Sequence, residues 1–383
     1  MTAIDTQERG ESFCSRIRRL RVIQRLSSLL LQPWALALLC LLTLCATVGA
    51  GLKPFHVPLN DVSWDQNAIH FGRYGTALSD GEWKFSTVDD VVSIELWVRP
   101  AKVWARGCIV SFYNPQRRQL FRIDQDYTKL VLRLGEQNTD EVSETLPVPN
   151  VFRGNEVFIT VTFDGRQTHV YIDGQLYQSS SVFRLPSRNL SGQLILGNAP
   201  LRNQNWSGEI KGLAIYEDQL NSTQVLRQYQ NWKEQRGPGL ETAWHLAALY
   251  QFKDEGHIVH SSVPSGIALN LPKRFLVVDH LLFESPLSEF YSEDSYFKNA
   301  VMNVAGFIPL GFTVGLYLVE VLRMRKAGLL TVLIGAVVSL AIEFFQWLLP
   351  TRYSGCTDIV TNTIGTWIGF HLCKCLFRRV RRT

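Results

Sequence analysis

The chain has 383 residues and a formal net charge of +5, from 39 Lys and Arg against 34 Asp and Glu, a mild balance in which placement matters more than sum. The basic residues gather at three points: Arg16, Arg18, Arg19, Arg21 and Arg25; Arg323, Arg325 and Lys326; and Lys374, Arg378, Arg379, Arg381 and Arg382. Each cluster flanks an apolar segment, so the bias of Lys and Arg toward the cytoplasmic ends of membrane helices explains them better than nucleic-acid binding does. Of seven cysteines, Cys14, Cys40, Cys45, Cys356, Cys373 and Cys375 lie in or beside apolar segments. Only Cys108 falls in the long soluble-looking middle, which excludes a disulfide there and with it a cysteine-stapled secreted module. The spacing of Cys373 and Cys375 matches no metal-ligand pattern.

Residues 1–32 are polar and then basic, a cytoplasmic N-terminal segment. From 33 to 52 the run PWALALLCLLTLCATVGAGL carries no charge over a length sufficient to span a bilayer. It is a signal-anchor helix or a signal peptide, and the long polar lead and long apolar core favour retention. Basic residues ahead of it put the N-terminus inside.

Residues 53–235 change character to short alternating runs broken by turn residues. SIELWVRP (93–100), GCIVSFY (107–113), KLVLRL (129–134), EVFITVTFDG (156–165), THVYIDGQLY (168–177) and GQLILGN (192–198) are rich in Val, Ile, Phe and Tyr and read as strands. Asp164-Gly165 and Asp173-Gly174 are tight-turn dipeptides expected between hairpin strands. So many strands in about 180 residues predict an all-β sandwich or barrel. SIELWVRP, VTFDGRQTHVYIDGQLY, LILGNA and WSGEIKGLAIYEDQLNSTQV together resemble the LamG-like, concanavalin A-like jelly roll, ending in a short helix after Leu220. The resemblance implies an extracytoplasmic module that binds glycans or other ligands through rim loops, sometimes with calcium. No cluster of loop carboxylates calls for a metal. Trp104, Tyr113 and Trp206 could stack on sugars, although packing inside a sandwich is the usual fate of such residues.

Residues 236–297 form a linker or interfacial segment in which LAALYQFKDEGHIVHSS either completes the sandwich edge or lies on the membrane surface. His245, His257, His260 and His280 fall here without the spacing of a metal site. Residues 298–383 hold three more apolar segments, 299–322, 327–349 and 358–377, each long enough to span, followed by a basic tail. The predicted fold class is therefore multi-domain: a jelly-roll sandwich inserted in an α-helical membrane domain with four transmembrane helices. An N-in and C-in topology places all three basic clusters in the cytoplasm and the β module outside.

Polar residues recur inside these segments, where each is costly in lipid and thus suspected of function. Gly335, Ser339, Glu343 and Gln346 fall on one helical stripe; Asp358, Asn362, Gly365 and Gly369 fall on another. The small residues Gly335, Ser339, Gly365 and Gly369 suit close helix packing. At about 1.5 Å per residue, Asn303, Glu343 and Asn362 share one outer-leaflet layer, with Arg352 and Asp358 above it at headgroup level. Either these groups form a ligand pocket or they are interhelical hydrogen bonds that only hold the bundle.

The patterns N-x-x-G-F-I-P-L-G-F, I-E-x-x-Q-x-x-L-P-x-R and D-I-V-x-N-x-x-G-x-x-x-G are similar to the VanZ-like membrane domain, through Asn303, Pro309, Gly311, Glu343, Gln346, Arg352, Asp358, Asn362, Gly365 and Gly369. The resemblance implies a protein of the bacterial cell envelope, in the cytoplasmic membrane. The expected function is binding: an envelope polysaccharide by the β module, and a membrane lipid or lipid-linked glycan by Asn303, Glu343, Gln346, Arg352, Asp358 and Asn362. An enzyme using Glu343 or Asp358 as general base is the rival, but no HExxH, phosphate-cradling Gly loop or nucleophile elbow accompanies it. A structural or partner-recruiting protein is the third reading. No cofactor is called for.

Overall fold

The computed structural model describes residues 32–65, 67–85, 90–114, 119–136, 144–200, 204–234, 237, 246–253, 255–279, 282–286, 296–352 and 354–380. The expected basic segment before residue 32, His245, His280, most of the KEQRGPG linker, the acidic run before 296 and the last three residues lie outside them. The chain divides into two compact units, residues 56–280 and residues 1–55 with 281–383.

The first unit is a two-sheet sandwich. One sheet runs in the order β1 (Val62–Asp65), β2 (Ala68–Phe71), β13 (Gly208–Tyr216), β4 (Val92–Pro100), β9 (Val157–Phe163), β10 (Thr168–Ile172) and β11 (Gln175–Ser180). β14 (Leu246–Tyr250) pairs antiparallel with β13, so LAALYQF completes this sheet. The other sheet runs β15 (Ile258–Val259), β16 (Leu269–Asn270), β3 (Ala77–Trp83), β12 (Gly192–Leu196), β5 (Arg106–Asn114), β6 (Gln119–Asp126), β7 (Lys129–Glu136) and β8 (Glu144–Val148).

Alternation places the core. Ile94, Leu96 and Val98 of β4, Phe121 and Ile123 of β6 and Ile159 and Val161 of β9 meet between the sheets. Each such side chain contributes about 1.5–3 kcal/mol by leaving water. Asp173 and Gly174 both have positive φ, as a two-residue hairpin turn between β10 and β11 requires. Over the outer face of the first sheet lies α2 (Ser222–Lys233), opened by a reciprocal capping pair of Asn221 and Gln224. Its Val225 and Trp232 pack with Phe158, Tyr171 and Tyr216.

The second unit is helical: α1 (Pro33–Leu52), α3 (Tyr296–Glu320), α4 (Ala327–Trp347) and α5 (Cys356–Val380). Leu44, Val48 and Leu52 of α1 pack against Phe307 and Leu310 of α3 and Ile342 of α4. Exposed positions on these helices include Leu38, Leu41, Leu42, Val301, Leu329, Leu333, Val337, Ile364 and Leu372, whereas Thr331, Ser339, Glu343, Asn362 and Thr366 are buried. An apolar exterior over a polar interior suits a lipid surround rather than water.

Among the described residues three helices, α1, α3 and α4, are long and apolar enough to cross a membrane, which corrects the expectation of four spans. The expected fourth, 358–377, forms within α5, but Asp358, Asn362, a run of threonines and Lys374 dilute its apolar character. α5 runs parallel to α3, with Gly365 against Val304 and Gly369 against Ile308, and antiparallel to α4, with Thr366 against Gly335 and Phe370 against Gly328.

Candidate functional site

α3, α4 and α5 meet along seams of small residues. A side chain on Gly365 or Gly369 would strike the carbonyl oxygens of Val304 or Ile308, and one on Gly335 would strike the Thr366 hydroxyl. Such contact brings the polar side chains of neighbouring helices within hydrogen-bonding reach.

Toward the end of the bundle that holds the connection between α4 and α5, the polar residues take up distinct partners. Asn303 Nδ2 donates to Asp358 Oδ1 at 2.7 Å, tying α3 to the first turn of α5. Asn362 Nδ2 donates to Ser339 Oγ at 2.9 Å, tying α5 to α4. Glu343, buried, accepts from the Gly355 backbone N–H at 3.0 Å and so fixes the start of α5. Gln346 Nε2 donates to the Gly51 carbonyl at 2.7 Å, and Arg352 Nη2 donates to the Lys53 carbonyl, so both anchor the C-terminal end of α1. Glu284 pairs with this connection as well: its N–H reaches the Ser354 carbonyl at 2.9 Å, and its carbonyl takes the Cys356 N–H at 3.0 Å.

The residues expected as one pocket are thus joined as a chain of clamps, with Asn303 and Asp358 linked directly and the others reaching different elements. Four polar atoms there are buried without a protein partner among the described residues: Thr351 Oγ1, Arg352 Nε, Ser354 Oγ and Asn362 Oδ1. Buried groups of this kind carry a desolvation cost unless something hydrogen-bonds them. Arg352 Nε is left as an unused donor and Asn362 Oδ1 as an unused acceptor. The Gly51 and Lys53 carbonyls escaped sequence reasoning because backbone acceptors have no side-chain signature; the Thr43 and Thr313 hydroxyls, 2.8 Å apart between α1 and α3, were legible only as small polar residues in apolar runs.

The sandwich holds a second buried carboxylate. Glu95 of β4 is fully buried beneath α2, and its Oε2 accepts from Tyr216 Oη at 2.7 Å and from Trp232 Nε1 at 2.9 Å. Oε1 has no partner among the described residues. Burial pushes its pKa up to about 7, against the pull of the two donors. Burial likewise raises the Cys108 thiol, leaving it unreactive. Among the described residues no group of three His, Cys, Asp or Glu comes together as a metal site would require. Tyr113 and Trp206 are buried, with Trp206 Nε1 bonded to Gln125 at 2.8 Å, whereas Trp104 is exposed.

Residues 243–378 match the family model described as VanZ/LLP1. Residues 71–226 match that of the concanavalin A-like lectin/glucanases superfamily. The chain carries a VanZ/LLP1 domain behind a lectin-like sandwich. The VanZ match starts ahead of β14, within the sandwich unit, and leaves out α1. The expected insertion of the sandwich into that domain is therefore corrected: the sandwich precedes it, and α1 is a neighbour in space outside the match.

No curated protein matches the chain. Among solved structures, the botulinum neurotoxin type G receptor binding domain aligns at 17% identity and a TM-score of 0.35, covering 46% of this chain and 45% of that one. The botulinum neurotoxin serotype D ligand binding domain in complex with N-acetylneuraminic acid aligns at 13% identity and 0.34, covering 46% of each chain. The CBM40 of a Ruminococcus gnavus IT-sialidase, bound to α2,3-sialyllactose, aligns at 16% identity and 0.31, covering 41% of this chain and 98% of that one. The chain spans about half the length of the neurotoxin domains it matches.

Proposed function

We propose that this is a multi-pass protein of the bacterial cytoplasmic membrane, whose lectin-like sandwich binds an envelope glycan and whose VanZ/LLP1 helices engage a lipid or lipid-linked envelope component. The basic segment ahead of α1 supports a cytoplasmic N-terminus and an extracytoplasmic sandwich. The lectin-superfamily match supports the glycan half of the reading.

The observation that carries the membrane half is the buried polar capacity left over at one end of the bundle. Arg352 Nε, Asn362 Oδ1 and the Thr351 and Ser354 hydroxyls are desolvated beside clamps already made by Asn303, Glu343, Gln346 and Asp358. An anionic headgroup would meet the Arg352 guanidinium, whose planar donors suit phosphate or carboxylate. Binding of purified protein to lipid-linked glycan in detergent micelles tests this. Arg352→Glu is expected to abolish it, and unchanged binding would sink the lipid reading.

A second reading, a structural or partner-recruiting bundle, draws on the same hydrogen bonds, because each of the six side chains also holds the helices together. Under it, Arg352→Glu lowers thermal stability and leaves lipid binding as it was. A general-base role for Glu343 predicts turnover of an envelope lipid that Glu343→Gln destroys. Its carboxylate is already engaged by the Gly355 N–H, so we rank this reading last.

A further inference from the structure

At one end of the sandwich three loops converge, spanning 101–106, 126–129 and 149–154. Buried Gln125 is their pin: its Nε2 is shared among the carbonyls of Lys102 at 2.8 Å, Val103 at 3.1 Å and Tyr127 at 3.1 Å, while its Oε1 takes the Trp206 indole N–H. The Tyr127 N–H donates to the Ala105 carbonyl at 2.8 Å, and the Thr128 carbonyl takes the N–H groups of Val151 and Phe152 at 2.8 and 2.9 Å. A side chain at Gly154 would touch Val103, so the third loop abuts the first.

This buried scaffold holds two aromatic rings outward. Trp104 is 78% exposed and Tyr127 38%, with ring centroids 5.9 Å apart and planes tilted by 50°. An exposed Trp on an otherwise well-packed sandwich has no packing role, and here its loop is locked from beneath, so its ordering cost is met before any ligand arrives. Beside the rings the Arg106 guanidinium lies 4.6 Å from the Tyr127 ring centre and bonds Asp126 through Nε at 2.7 Å. Lys102, Arg106, Lys129 and Arg153 are all exposed on the three loops, against Asp126 as the acidic residue of those segments.

We infer that this rim is a binding site for an acidic glycan, with a sugar ring stacked on Trp104 and Tyr127 and its anionic group drawn to the surrounding cations. Aromatic faces suit the C–H face of a sugar, and the basic surround selects anionic over neutral chains. A membrane-interface anchor also combines Trp, Tyr, Lys and Arg. The glycan is favoured because Trp104 and Tyr127 are the large apolar side chains that these three loops expose, Val151 and Phe152 being buried, and four exposed cations share the loops with them. The inference rests on the glycan-binding reading above and gives it a location and a charge class.

The test is binding of the full chain in detergent micelles to alginate, a polyuronate, with neutral dextran and phosphatidylglycerol vesicles as comparisons. Alginate binding that weakens about tenfold in Trp104→Ala, and comparably in Arg106→Gln, is the expected result. Binding should also fall with added salt. Thermal unfolding of Trp104→Ala is expected to match the wild type, since the side chain is exposed. Alginate binding unaffected by Trp104→Ala overturns the location and leaves the glycan reading standing. Dextran binding without alginate binding overturns the charge class. No binding to either polysaccharide removes the inference and the glycan reading together. Loss of vesicle binding alone in Trp104→Ala identifies a membrane anchor and overturns the inference.

Discussion

Glu343 of the helical bundle and Glu95 of the sandwich are both buried, and the two units use them in opposite ways. In the helical bundle Glu343 accepts a backbone N–H that needs a partner, so the acid organises the start of α5. In the sandwich Glu95 receives two neutral donors on one oxygen and none on the other, between a sheet and a helix that exclude water. The first arrangement uses the acid to satisfy the backbone; the second ties the acid to a covering helix through Trp232.

Breaking that contrast at Glu95 has the largest expected effect. Its pKa is raised from 4.5 to about 7 by burial, so the folded state holds a proton that the unfolded chain releases. The stability this contributes is complete below about pH 4.5, declines as pH rises toward 7, and is gone above it. The change is on the order of 3 kcal/mol. The pH acts where Trp232 of α2 meets Glu95, so amide-exchange protection of residues 222–233, corrected for intrinsic exchange, is expected to fall over that window. Tyr216 and Trp232 are the groups that hydrogen-bond the acid, and no cation contributes to its shift. Glu95→Gln is expected to flatten the profile; an equal decline in that variant would refute the linkage.

Glu95 also shows where sequence reading stops. SIELWVRP reads as a strand, and it is one; that α2 then covers the face bearing Glu95 depends on a helix more than a hundred residues later. The strands at 93–100, 107–113, 129–134 and 192–198 were legible because their apolar residues alternate or run together. β6 was not, since Arg122 and Asp124 interrupt it; they form a buried ion pair at 2.9 Å, extended by Arg133 to Asp124 at 2.8 Å, on the face opposite Phe121 and Ile123. In the helices, spacing alone placed Ser339 and Asn362 on facing stripes. It did not reveal that Gln346 and Arg352 would reach the end of α1, because their acceptors are main-chain carbonyls.

On the helical side, Gly369→Val probes the backbone contact behind the clamps. The added side chain meets the Ile308 carbonyl oxygen, so α3 and α5 must separate. Overpacking of this kind costs about 1–3 kcal/mol. Thermal unfolding in detergent should drop accordingly, while amide protection in β4 and β9 of the sandwich stays unchanged. A smaller loss, about 1 kcal/mol, is expected at the surface of the sandwich when Asn221→Ala removes the cap of α2. That loss should depart from simple addition to the pH effect of Glu95 if helix docking and helix capping act through the same element. Fraying measured by exchange at residues 222–225 checks it.

The smallest effect bears most directly on whether the polar layer is glue or site. Ser339 and Asn362 share a hydrogen bond at 2.9 Å, and Asn362 Oδ1 has no protein partner among the described residues. A double-mutant cycle of Ser339→Ala and Asn362→Ala, read by unfolding in detergent, is expected to give a coupling of about 0.6 kcal/mol, the typical strength of such bonds within membranes. If the layer only holds the bundle, Asn362→Ala should cost that coupling and nothing further in lipid-linked glycan binding. If the second face of Asn362 serves a ligand, Asn362→Ala weakens binding where Ser339→Ala does not, although both lose the same interhelical bond. The difference between two variants that break one hydrogen bond isolates the oxygen that the bundle leaves unused.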